Sequence, residues 1–79
     1  MVTPEQLREW ISAGLADDAV VKVEGDGHHF EALIVAAEFE QKNRIQRHQL
    51  IYGILGDKMK AEVHALSMKT LTPAEFSAA

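Results

Sequence analysis

The stretch AVVKVEGDGHHFEALIVA, residues 19–36, decides the fold. Its first third alternates Ala19, Val21 and Val23 against Val20, Lys22 and Glu24, and β-branched residues suit the pleated, half-buried surface of a strand. HFEALIVA, residues 29–36, reads as a second strand. Between the two, Gly25 and Gly27 are expected to supply positive backbone dihedrals and Asp26 to bond its own turn, which closes an antiparallel hairpin. His28 and His29 then open the second strand, where consecutive side chains point to opposite faces. At most one of them can share a face with a given partner.

Upstream, Thr3, Pro4 and Gln6 form a capping box with proline at the first helical position, and Leu7, Trp10, Ile11 and Leu15 follow at helical spacing. Gly14, Asp17 and Asp18 mark the end of that helix. Downstream, AAEFEQKN reads as an irregular connection or a short helical turn. RIQRHQLIYGIL is the second main helix, with Asn43 as its cap and Leu50, Ile51, Ile54 and Leu55 as its apolar stripe. Ile45 and Tyr52 fall off the stripe. Gly56 stands where a helix C-cap belongs, and DKMKAEV offers a short helix with Met59 and Val63 on one side. HALSMKTLT alternates again, with His64, Leu66 and Met68 on one face, and reads as a third strand. Thr72, Pro73 and Glu75 repeat the opening device before a terminal helix. The order helix, strand, strand, helix, short helix, strand, helix gives an α+β domain over residues 1–79. Its three-stranded sheet is mixed, because the helical crossover lets the third strand run parallel to its neighbour.

Composition limits what such a domain can do. Seventy-nine residues with 47% hydrophobic and 25% charged content make one small folded domain. The chain has no cysteine, which removes a disulfide framework, a thiolate nucleophile and a zinc ribbon. The opening MVTPEQLREW does not read as a signal peptide. ALIVAA is too short to span a bilayer, which takes roughly 20 residues. The expected location is the cytoplasm, with no membrane contact. A net charge of −4 argues against general affinity for phosphate backbones, although Lys42, Arg44 and Arg47 form a local basic patch.

The four histidines, His28, His29, His48 and His64, carry most of the chemistry on offer. An imidazole on an apolar strand face, like that of His64, is usually a hydrogen-bonded core group, and a turn histidine is usually solvated. His64, His28 and His29 each also offer a neutral imidazole as a ligand to iron, copper or zinc, but two histidines from separate elements make half a site, and His48 reads as a helix-surface group or part of a polar network. Ser12, Ser67 and Ser77 have no base or elbow around them, so catalysis by this chain is not expected. GDGHH lacks the spacing of a phosphate-cradling loop. Lys42, Arg44 and Arg47 at a helix start, before a glycine-linked second helix, invite a helix-turn-helix or KH-type nucleic-acid reading. The backbone-clamping GXXG loop of KH domains is missing, however, where this chain has LGDKMK.

Taken together, GDGHHFEALIV, FEQKNRIQRHQLIYGILGD and VHALSMKTLTP resemble the BolA-like family over nearly the whole chain. RHQLIY and HALSMKTLTP are the most specific tracts. The resemblance implies a fold similar to class II KH domains. It also implies a non-enzymatic role in iron-sulfur cluster trafficking and iron homeostasis, through a heterodimer with a monothiol, CGFS-type glutaredoxin. There a [2Fe-2S] cluster is shared among the glutaredoxin cysteine, glutathione and the BolA-like partner, with none expected in the isolated chain. The family's C-terminal-region histidine matches His64. The second ligand belongs to the hairpin loop, where both His28 and His29 stand, and the choice between them stays open. Arg44, Arg47 and His48 form the expected docking face for the partner. A homodimer is a further partner reading. The alternative function is a transcriptional regulator binding DNA through Lys42, Arg44 and Arg47.

Overall fold

A computed structural model describes residues 2–59 and 65–78. Helix α1 (Pro4–Ala13) starts where the capping box puts it. Thr3 Oγ1 accepts from Gln6 N, and Gln6 Oε1 accepts from Thr3 N, both at 3.1 Å. Leu7 and Ile11 are fully buried and Leu15 nearly so, which confirms the stripe. Trp10 packs at the core margin with the Lys58 ammonium 5.9 Å from its ring centroid.

Strand β1 (Val20–Gly25) pairs antiparallel with β2 (Phe30–Val35), from Val20↔Val35 to Gly25↔Phe30. Strand β3 (Leu66–Leu71) pairs parallel with β2, from Phe30↔Leu66 to Val35↔Leu71. The sheet order is β1-β2-β3, the mixed sheet expected from the crossover. Phe30, Ala32 and Ile34 of the central strand are buried and join Leu7, Ile11, Phe39, Ile51, Leu55 and Leu66 in one core. On the opposite face Lys22, Leu33 and Lys69 form one row and Glu24, Glu31 and Ser67 the next. Apart from the half-buried Leu33, these side chains turn to solvent.

The connection after β2 is a 3₁₀ turn, Ala37–Phe39, that drives Phe39 into the core. Helix α2 (Arg44–Leu55) is capped by Asn43, which exchanges two 2.9 Å bonds with Gln46. Ile51 and Leu55 are buried and Leu50 and Ile54 pack beside them, while Ile45 and Tyr52 stay exposed. Gly56 ends the helix with φ 54 and begins a 3₁₀ turn, Gly56–Met59. The remainder of the short helix expected over residues 57–63, and His64, lie outside the described residues. Helix α3 (Pro73–Ala78) repeats the capping box through Thr72 and Glu75.

The hairpin differs from expectation in two respects. Strand β2 begins at Phe30, so His28 and His29 belong to the connecting loop and the opposite-face rule for strands does not govern them. The reason lies in Asp26, whose carboxylate gathers the loop's N–H groups before the ladder starts. Only Gly27 of the two turn glycines has positive φ, at 92. Gly25 is needed for space, because a Cβ there would collide with the His29 carbonyl oxygen.

Candidate functional site

Asp26 organises the hairpin loop. Its Oδ1 accepts from His28 N at 2.8 Å and from His29 N at 2.9 Å, while Asp26 N donates to His29 O at 3.2 Å. These N–H groups, His29's first, hold the carboxyl below its usual range. Both imidazoles are left exposed on a loop with a fixed backbone. Because Phe30 pairs with Leu66, this loop enters the sheet at the end where β3 begins. Among the described residues, no three His, Cys, Asp or Glu side chains are placed to hold a metal ion.

The basic start of α2 forms a second feature. Arg47 is 13% exposed and its donors are engaged within the chain. Nε donates to Lys42 O at 2.9 Å, Nη1 to Thr70 O at 3.0 Å and to Glu75 Oε1 at 2.7 Å, and Nη2 to Glu75 Oε2 at 3.3 Å. Its guanidinium also stands 5.8 Å from the Phe39 ring centroid. That fork, followed by the Thr72 N–H, lowers the Glu75 pKa to about 2. Lys42 Nζ donates to Glu38 O at 2.9 Å, whereas the Arg44 side chain is exposed. His48 is half-buried, and its buried Nε2 has no partner among the described residues. Burial, then the Arg44 charge, pushes its pKa down and favours the neutral ring.

Between α2 and β3 these side chains line an open cleft of about 430 Å³ with Met68, Lys69, Thr70 and Glu75. The basic patch of the sequence is therefore one wall of a cleft whose other wall comes from the last strand and helix. Lys69 and Glu75 were not foreseen there. The capping pattern at Thr72 located Glu75, but nothing local linked it to Arg47.

A family model described as BolA-like protein matches residues 12–75. The chain belongs to the BolA-like family. Its α+β architecture matches that of solved BolA structures. A BolA protein homologue from Coxiella burnetii is 45% identical with a TM-score of 0.84, covering 98% of this chain and 99% of that one. The BolA domain of SufE1 from Arabidopsis thaliana is 35% identical with a TM-score of 0.77, covering 91% of this chain and 93% of that one. Among curated BolA relatives, the DNA-binding transcriptional regulator BolA of Haemophilus influenzae is 39% identical over 54 residues, 68% of this chain and 52% of its own length. The acid stress protein IbaG of Escherichia coli is 38% identical over 58 residues, 72% of this chain and 69% of its own. This BolA-like chain thus spans about half the length of the Haemophilus protein. No helix among the described residues is long and apolar enough to cross a membrane.

Proposed function

We propose that this chain is a non-enzymatic cytoplasmic adaptor in iron-sulfur cluster trafficking and iron homeostasis. In this reading His64 and one of His28 or His29 complete a [2Fe-2S] cluster held mainly by a monothiol glutaredoxin and glutathione. The cluster is cargo passed between proteins. The observation that carries the reading is the parallel register of β2 and β3, which brings the hairpin loop and the start of β3 to one end of the sheet. His64 precedes Leu66 by two residues, two Cα steps of about 3.8 Å each. The chain's donor set suits a shared site: the exposed imidazoles of His28 and His29, no cysteine, and too few ligands for a cluster that normally takes four. Imidazole in place of thiolate raises the reduction potential and gives a ligand that protonation can release. Arg44, exposed at the start of α2, is the group left to meet partner carboxylates, since Arg47 is committed internally.

The test is reconstitution with a monothiol glutaredoxin, iron, sulfide and glutathione, followed by visible absorption and circular dichroism. The heterocomplex spectrum should change in His64→Ala and in one of His28→Ala and His29→Ala. Unchanged spectra in His64→Ala would remove that residue from the coordination sphere.

Similarity to the DNA-binding transcriptional regulator of Haemophilus favours a second reading, DNA binding through Lys42, Arg44 and Arg47. Titration of duplex DNA at two salt concentrations separates the two. A steep salt slope that Arg44→Ala makes shallower would favour the regulator.

A further inference from the structure

Strand β3 is an edge strand, and its register shows which backbone groups it leaves open. Leu71 O accepts from Ala36 N at 3.0 Å. In an evenly spaced parallel ladder, Ser67, Lys69 and Leu71 therefore direct their N–H and C=O groups at β2, and Met68 and Thr70 direct theirs outward. Arg47 bonds Thr70 O, which fits this assignment and closes one of the outward acceptors. The Met68 N–H and C=O and the Thr70 N–H have no main-chain partner among the described residues. They face the cleft between α2 and β3, and an open strand edge of this kind is a template for a further strand.

Charge selects the occupant. Arg44 stands at the α2 rim of the cleft and Lys69 at the β3 rim, with His48 also among the lining residues. We infer that this edge is a docking site for an extended acidic peptide, which adds to the sheet beside β3. Side chains of an added strand alternate between its two faces, so carboxylates on one face meet Lys69 and those on the other meet Arg44. A second copy of this chain fits poorly, because edge-to-edge pairing would set Lys69 and Arg44 against their own counterparts. A single-stranded nucleic acid is also disfavoured: the cleft holds the Glu75 carboxylate and has no Phe, Tyr or Trp among its lining residues for a base to stack on. The inference does not rest on the cluster reading, since it concerns the iron-free chain.

The experiment uses the iron-free protein and a short, unstructured peptide in which pairs of adjacent glutamates alternate with pairs of valines, so that each face of an added strand carries carboxylates. Amide shifts should concentrate on β3, and hydrogen exchange at Met68 and Thr70 should slow in the complex. Affinity should fall about tenfold or more in the Arg44→Glu/Lys69→Glu variant, whose folding is checked by circular dichroism. It should also fall for the same peptide with alternate backbone nitrogens methylated. Absence of binding, unchanged exchange at both amides, or equal binding of the methylated peptide would each overturn strand addition. Tighter binding of a single-stranded oligonucleotide in the same cleft would overturn the peptide assignment.

Discussion

Asp26 sets the geometry of the loop that carries two of the candidate ligands. A single oxygen gathers the N–H groups of His28 and His29, so Asp26→Ala should speed amide exchange at both residues while leaving the melting temperature nearly unchanged, the loop being exposed. Unchanged exchange would mean that the positive φ of Gly27 alone shapes the turn. Gly25→Ala should disturb the same loop from the strand side, by forcing the His29 carbonyl away. His48 gives a pH signature of another kind. Its native pKa lies below the ordinary 6.5, so on acidification the unfolded chain binds the proton first and stability falls from about 6.5 downward, with no effect above. Urea titrations across that range should show a flatter curve in His48→Gln. His28 and His29 were legible as possible ligands, but the fixed loop backbone and the burial of one His48 nitrogen depend on neighbours that sequence alone did not pair.

At the scale of elements, the helix starts could be read from sequence, two as capping boxes at Thr3 and Thr72 and one as a cap at Asn43, because each closes within four positions through side chains that bond their own first turn. The start of β2 was misjudged for the complementary reason. HFEALIVA continues the strand pattern back to His29, yet Asp26 captures that backbone first. Surroundings distinguish two glycines that pattern alone leaves alike. A Cβ on Gly14 would stand 2.5 Å from Ile54 Cγ2 and 2.7 Å from Cγ1, so Gly14→Ala should cost about 1–3 kcal/mol through overpacking of α1 on α2. Combined with Ile54→Ala, the two changes should be less damaging than their sum. Among the described residues nothing stands within 4 Å of where a Gly53 Cβ would be, and Gly53→Ala should stabilise α2 by about 0.5–1 kcal/mol. Thermal melts would read this as a rise of a few degrees.

On the scale of the whole molecule, Arg47 joins parts of the chain that no local pattern connects. It lies 23 residues from Thr70 and 28 from Glu75, and it fastens α2 to the edge of β3 and to α3. This explains why the sheet and helix order were legible in the sequence while the cleft was not: periodicity reports which face of an element is apolar, whereas the cleft depends on which ends meet. The same joint predicts how acid loosens the fold. The Glu75 pKa is lowered from 4.5 to about 2 in the native chain, so between those values the unfolded state binds more protons. The stabilisation is complete above about 4.5 and is lost as pH falls toward 2. Glu75→Gln should therefore melt below wild type near neutrality, and the gap should close through that acid window. Arg47→Met should cost more near neutrality, about 2–3 kcal/mol, because it also strips the hydrogen bonds to Lys42 O and Thr70 O. In the Arg47→Met background, Glu75→Gln should add little, since the partner that lowers the Glu75 pKa is gone. A gap between wild type and Glu75→Gln that stayed constant through the acid window would show that the carboxylate does not carry this linkage.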